Sequence, residues 1–394
     1  MRILSIINYP YYRPGGGLVT MRALYHQLAR RGHQVVALHT FAAYSPVVGR
    51  DVDNRGSAIE FLAKHGVATS SAAGALRFSD GPVEVHYVDN ADAVGPYLDH
   101  LLPALDPDWV QLAAHQADAI GDAVATRVPA ANRLFTCHAS EGLPFGPRAM
   151  HRGPRTLDHM RACRGIWVPS AYVRRYLAEH AGLASTVLPL DVYGARPFRR
   201  LGAWDRGAVT LINSSLPKGL PVFLDLARAF PDVPFATVPT WEIGVAPSDP
   251  SLAGLPANVT LVSPVANPEI DRIYEQVRVL VVPSLLHEAF GLVVVEAMLR
   301  GIPVLASDVG GLPEAKLGVP YVLPLASIEW DAEARTWRQP PRELAPWRAA
   351  LGALLTDRAR YDQVAEQSRQ AAHAFVAALP DDGFERFLAT CLGG

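Results

Sequence analysis

At 394 residues the chain exceeds one core of ordinary size, so two domains are expected. Its residues are 49% hydrophobic and 19% charged with a formal net charge of -2, a globular composition without the basic excess that holds nucleic acid. No apolar run approaches the roughly 20 residues of a membrane span, the start MRILSIINYPYYRPGGG lacks a signal-peptide layout, and Cys137, Cys163 and Cys391 are too scattered for a disulfide framework or zinc site. These features point to a reducing, cytoplasmic setting with no integral membrane segment, and they leave the oligomeric state open.

In chain order, the first 170 residues alternate short β-branched or apolar runs with helical patterns. Strands are expected at 2–8, 34–40, 83–89, 109–115, 133–139 and 165–170. The clearest helix covers 17–31, where Leu18, Met21, Leu24, Tyr25 and Leu28 recur at helical spacing. Such alternation predicts a parallel, doubly wound sheet. Residues 43–80 carry Gly, Ser and Asp with little periodicity outside 59–64, and read as a mobile loop with a short helix.

A second alternating series predicts strands at 208–213, 234–239, 259–263, 279–283, 303–307 and 321–324, with helices at 219–229, 268–276 and 289–300. The Pro- and Gly-bearing stretch 188–206 is the linker candidate. Residues 347–375 read as helical, Pro380 breaks the pattern, and 383–392 forms one more helix. An α/β fold of two Rossmann-like halves facing each other across a cleft follows.

The segment LVVPSLLHEAFGLVVVEAMLRGIPVLASDVGGLPEA, residues 280–315, concentrates the chemistry. Glu288 and Glu296 flank a predicted strand-to-helix step containing Phe290 and Gly291. A helix starting there turns unsatisfied N–H groups and a positive dipole end toward a ligand. Gly291 lets the ligand approach the backbone without a Cβ in the way. Eight residues of helical rise span about 12 Å, which suits a ligand with hydroxyls at both ends and phosphate between. The competing reading is one solvated acid and one N-cap-side charge.

Elsewhere each candidate has two readings. Gly15-Gly16-Gly17, after the first strand, either cradles phosphate or makes a tight turn; the G-x-G-x-x-G fingerprint is absent. Lys218, in NSSLPKG between strand and helix, either neutralises a diphosphate or is a solvated surface lysine. His138, at a predicted strand end, either contacts a sugar or phosphate or is a buried histidine bonded to backbone. His115 is a weaker candidate of the same kind. Cys137 beside His138 makes no nucleophile dyad, because adjacent strand side chains point to opposite faces. The acid pairs Asp51/Asp53 and Asp106/Asp108 sit in loop-like stretches and read as structural. Only Lys64, Lys218 and Lys316 of 36 basic residues are lysines, and the evenly spread arginines reflect the base composition of a GC-rich bacterial genome.

On HEAFGLVVVEAMLRGIPVLASDVGGLPE, the chain resembles the retaining GT-B glycosyltransferases, specifically glycosyltransferase family 4, whose E-x7-E block with following G-x-P-V and G-G-x-x-E steps it matches. PGGGLVTMRALYHQLARRGHQV, VPSAYVRRYL and LPKG support the likeness. The resemblance implies an acceptor-binding domain at 1–190, a nucleotide-sugar-binding domain at 191–375, and a helix within 376–394 packing back on the first. It implies that Glu296 holds ribose hydroxyls, Glu288 holds hydroxyls of the transferred sugar, and Phe290, Gly291 and Leu292 offer backbone groups. It further implies that Lys218, with Ser214 nearby, meets the diphosphate, His138 sits at the sugar C6 side, and Gly16 and Gly17 approach the phosphate. His138, Lys218 and Glu288 are then the catalytic group.

The implied reaction is metal-independent transfer of a hexose-type sugar from a nucleotide-diphosphate sugar, with retained configuration and no cofactor, to a soluble saccharide or small natural product. One departure stands out: the family's arginine a few residues before the lysine is absent, and those positions are Asn213, Ser214 and Ser215. A diphosphate there loses a bidentate partner, for which Arg13 is a candidate substitute. The alternatives are a GT-B sugar-nucleotide epimerase and a catalytically silent sugar-nucleotide-binding module.

Overall fold

The computed structural model describes every residue except 13–14, 46–49, 114–117, 151–152, 154, 240–253, 265–268 and 393–394. In its first part the chain runs β1 (Arg2–Ile7), α1 (Gly16–Arg30), β2 (Gln34–Thr40), β3 (Ala42–Ser45), β4 (Arg50–Asp53), α2 (Arg55–Lys64), β5 (Ser70–Ala72), β6 (Ala75–Asp80), β7 (Val83–Val88) and α3 (Ala91–Leu105). It continues through β8 (Trp109–Ala113), α4 (Asp118–Ala125), β9 (Arg133–Thr136), α5 (Thr156–Arg161), β10 (Gly165–Val168), α6 (Ala171–Ala181) and β11 (Thr186–Val187). Among the described residues the first sheet has nine strands, in the order β11-β10-β9-β8-β1-β2-β7-β6-β5. All neighbours are parallel except β7–β6 and β6–β5. Every residue of β8 is buried, as a strand covered on both faces by helices must be.

Of the stretch 43–80, the short helix read around 59–64 is present as α2, while much of the rest of its described residues is strand and not loop. β3 and β4 pair antiparallel, α2 follows, and β5 and β6 extend the first sheet by antiparallel pairing onto β7. The β5–β6 turn uses Ala73 and Gly74, both at positive φ (51° and 80°), the primed-turn geometry that matches strand twist. Ala-Gly is a weaker turn signal than Asn-Gly, which hid the hairpin.

The second series is β12 (Ala208–Ile212), α7 (Leu220–Ala229), β13 (Phe235–Val238), β14 (Val259–Leu261), α8 (Asp271–Tyr274), β15 (Val277–Val282), α9 (Leu292–Leu299), β16 (Val304–Ser307), α10 (Leu312–Ala315) and β17 (Val322–Leu323). A short pair, β18 (Glu329–Asp331) and β19 (Thr336–Arg338), precedes α11 (Ala345–Thr356), α12 (Arg358–Ala377) and α13 (Gly383–Leu392). Among the described residues the second sheet has six parallel strands ordered β14-β13-β12-β15-β16-β17. The helix expected over 347–375 is two: Asp357 leaves helical geometry and caps α12, its carboxylate accepting from Arg360 N. The helix expected at 268–276 shrinks to α8, and residue 268 lies outside the described set.

The chain divides into two units, Met1–Val192 with Trp330–Trp337 and Pro380–Gly394, and Tyr193–Glu329 with Arg338–Leu379. In the first, α13 joins the core: Phe384, Phe387, Leu388 and Cys391 cluster with Trp167 and Leu188. Arg31 and His33 pair with Glu385 on its polar side. Burying such side chains stabilises by roughly 1.5–3 kcal/mol each, more than the exposed ion pairs do.

Candidate functional site

In the second sheet the chain steps outward from β12 to β13 and β14, then returns to place β15 on the other side of β12. The carboxyl ends of β12 and β15 are therefore the switch point, where successive connections diverge and open a crevice. Parallel pairing of Val209 with Val279 and Thr210 with Leu280 brings out the loops 213–219 and 283–291 side by side. Pro217 O accepts from both Leu285 N (2.9 Å) and Leu286 N (3.0 Å), which fastens one loop to the other.

Lys218 and Glu288 meet there, Nζ to Oε1 at 2.5 Å. Their side chains are 21% and 18% exposed, so the pair is sheltered yet reachable. Ser284, fully buried, donates its hydroxyl to the same Oε1 at 2.8 Å, and its own carbonyl accepts from Ser307 Oγ. The Glu288 backbone bridges to Gly310 and its carbonyl accepts from Gly311 N at 2.7 Å. Both the head group and the main chain of Glu288 are thus fixed by the sheet edge.

Helix α9 begins at Leu292, three residues later than expected, because Gly291 has φ 112°. A Cβ on Gly291 would stand 2.6 Å from Leu312 Cδ2, so this backbone and its packing already require glycine before any ligand arrives. Phe290 turns inward and stacks on Phe375 of α12, ring centroids 5.8 Å apart. Its main chain is therefore what it offers a ligand. The first N–H groups of α9 have no intrahelical acceptor. Glu296, half-buried in α9, accepts the Tyr274 hydroxyl on Oε2 at 2.8 Å. Burial pushes its carboxyl pKa up, and Tyr274 and Arg300 oppose that shift.

Ser214 is 1% exposed and its hydroxyl is shared with Thr237 of β13 at 2.6 Å, leaving main chain for a ligand. Asn213 holds φ 76°, and Asn213 Oδ1 and Ser215 Oγ are buried without a hydrogen-bond partner among the described residues. The loop that lacks arginine thus presents one cation, Lys218.

In the first unit the switch point lies between β1 and β8. Gly15 caps α1, the next element after β1, which opens at Gly16 and Gly17. A Cβ on Gly17 would stand 3.1 Å from His138 Cβ, so the structure brings these two predicted residues together. His138 Nε2 lies 3.2 Å from Thr136 Oγ1 and 3.3 Å from Met21 Sδ, and the ring packs edge-on to Trp167. Burial lowers its pKa to about 4, so the imidazole is neutral at neutral pH. Cys137 is buried, its thiol pushed up to about 12, which removes thiolate chemistry. His115 and Arg13 lie outside the described residues.

Sequence reasoning missed Ser284 and Tyr274. Ser284 directly follows a strand end and could have been found by position. Tyr274 acts through a contact between two helices that no spacing in the chain announces.

Residues 214–327 match the family model described as Glycosyl transferases group 1, a segment that contains Ser214, Lys218, Tyr274, Ser284, Glu288, Gly291 and Glu296. A D-inositol 3-phosphate glycosyltransferase of Nocardia farcinica is 36% identical over 121 residues, 31% of this chain and 23% of that protein. The chain thus matches under a quarter of that relative's length. Among solved structures, a sucrose-phosphate synthase from Thermosynechococcus elongatus superposes with TM-score 0.67 at 17% identity, covering 98% of this chain and 99% of that one. Anabaena Alr3699/HepE in complex with UDP-glucose gives 0.62 at 17% identity, covering 99% of each. These likenesses give the architecture: the chain has the GT-B fold of two Rossmann-like units, and its second unit carries a segment similar to the group 1 glycosyl transferases.

Proposed function

We propose that the chain is a retaining, metal-independent glycosyltransferase of the family 4 type. It moves a hexose-type sugar from a nucleotide-diphosphate sugar to an acceptor hydroxyl. The observation that carries this reading is the placement of Lys218 beside Glu288 at the switch point of the second sheet, with Glu296 on the following helix. A cation, a carboxylate and a second carboxylate in that sequence suit diphosphate, sugar and ribose in turn. The Nocardia relative's name and the UDP-glucose bound to the Anabaena neighbour support the same class of donor.

In this reading Lys218 exchanges part of its bond to Glu288 for the diphosphate, and Glu288 accepts hydroxyls of the transferred sugar in return. The backbone of Phe290, Gly291 and Leu292 and the start of α9 face sugar and phosphate, with Ser214 contributing main chain. The sugar's C1–O bond to the diphosphate breaks and the acceptor oxygen bonds to C1 on the same face. The acceptor's proton passes to the departing diphosphate oxygen, so no side-chain nucleophile is required. Neutral His138, at the sugar C6 side, serves as a hydrogen-bonding group, and Gly16 and Gly17 approach the phosphate through their N–H groups. The acceptor is a polar, soluble saccharide or small natural product bound by the first unit, and the setting is cytoplasmic. Nucleotide release from UDP-, GDP-, ADP- and dTDP-sugars tests the proposal; release from none of them, with no thermal shift by any, refutes it.

A further inference from the structure

Helices α8 and α9 are tied together by polar groups that sequence reading did not anticipate. Asp271 and Tyr274 sit three apart on α8; Glu296 lies on α9 and Arg300, four residues on, is its C-cap. Arg300, 4% exposed, donates Nε to Asp271 Oδ1 at 2.6 Å and Nη1 to the Glu296 carbonyl at 2.8 Å. Its guanidinium lies 4.7 Å from the Tyr274 ring centroid. Tyr274 is fully buried and delivers its hydroxyl to Glu296 Oε2. One end of the tyrosine is clamped by a cation that is itself anchored twice, and the other end grips the carboxylate.

An ionised carboxylate offers about four acceptor sites over two oxygens. The Tyr274 hydroxyl takes one on Oε2, which fixes the carboxylate plane and leaves Oε1 and the remaining site on Oε2 for outside donors. Two neighbouring acceptors in a fixed plane fit two neighbouring hydroxyls. We propose that Tyr274, locked by Arg300 and Asp271, is the positioning residue that makes Glu296 a receptor for the vicinal diol of the donor's ribose. This rests on the donor reading above. Without the hydroxyl, the carboxylate turns freely and pays the ordering cost on binding. Charge-assisted hydrogen bonds are the kind whose loss is felt most, so the effect falls on the diol and not on the rest of the nucleotide.

The experiment measures dissociation constants by calorimetry for the full chain with UDP, GDP, ADP and dTDP. The tightest ribonucleoside diphosphate is then compared with its 2′,3′-dideoxy counterpart. Tyr274→Phe keeps the ring in its packing. It is expected to weaken the ribonucleotide about tenfold while leaving the dideoxy nucleotide unchanged, so their ratio falls by the same factor. Equal weakening of both, or an unchanged ratio, overturns the proposal, because a merely structural tyrosine gives those results. If Tyr274→Phe fails to fold, Arg300→Lys, which retains charge and unpins the ring, must lower the ratio; an unchanged ratio there overturns it too. Binding of dTDP alone, which has no 2′-hydroxyl and so no vicinal diol, overturns this inference while leaving the donor reading standing; failure of the wild type to bind any of the four nucleotides refutes both.

Discussion

Lys218 Nζ and Glu288 Oε1, seventy residues apart in sequence, lie 2.5 Å from each other across the switch point of the second sheet. Topology brings them there. β12 and β15 are neighbours because the chain reverses its direction of strand addition between them. Each charge shelters the other, and a donor carrying both phosphate and hydroxyls is the kind of ligand that satisfies both when the pair parts.

Removing either partner separates binding from turnover. Glu288→Ala is expected to abolish sugar transfer while nucleoside diphosphate binding survives, because the acid faces the sugar. Lys218→Ala is expected to weaken nucleoside diphosphate binding about tenfold or more, as the lone cation of an arginine-free loop. Calorimetry with the diphosphate alongside turnover decides: if Glu288→Ala loses nucleotide binding, the acid's role is misassigned. Melting temperatures should move little, since partly exposed pairs contribute about 1 kcal/mol or less.

The contact between Gly17 and His138 gives a second prediction. A methyl group on Gly17 enters at 3.1 Å from His138 Cβ, tight enough that the imidazole must shift. Gly17→Ala is therefore expected to impair turnover as His138→Ala does, with thermal unfolding close to wild type. The double variant should be no worse than the poorer single one. Simple additivity of the two losses would show that the residues act independently. Because burial holds the His138 pKa near 4, turnover should also show no histidine inflection between about pH 5.5 and 8 from this group.

A third prediction concerns stability against pH. Lys316 is completely buried, its Nζ donates to Val304 O at 2.7 Å, and burial lowers its pKa from 10.5 to about 7. Between those values the unfolded chain binds the extra proton, so wild-type stability rises as pH rises from 7 toward 10.5. Lys316→Met lacks that dependence and carries a constant cost of about 1–3 kcal/mol for the unpaired carbonyl. The stability of the variant relative to wild type should decline by up to about 1.4 kcal/mol per pH unit over this window. Urea unfolding at pH 7 and 9.5 measures it, and a pH-independent difference would contradict the burial account.

Much of this was legible in the chain. Strand 34–40 and helix 383–392 have in the structure the bounds their sequences predict, because an apolar run in one and helically spaced apolar residues in the other stand next to clear turn residues. The parallel, doubly wound character followed from alternation alone. The β5–β6 hairpin escaped because its strands are short and half-exposed and its turn is Ala-Gly. The start of α9 was misplaced because nothing in sequence says that Gly291 adopts positive φ. At the site, the acids and the lysine showed themselves by motif. The groups that hold them did not: Ser284 and Tyr274 act through contacts between elements, and such contacts have no spacing to read.

The most direct measurement is the release of nucleoside diphosphate from UDP-, GDP-, ADP- and dTDP-sugars by the wild type and by Glu288→Ala. Slow release from one of these donors by the wild type, lost in Glu288→Ala while that variant still binds the diphosphate, is the predicted result. No release from any donor, with no shift in melting temperature on adding them, would contradict the assignment of a sugar-nucleotide donor to this site.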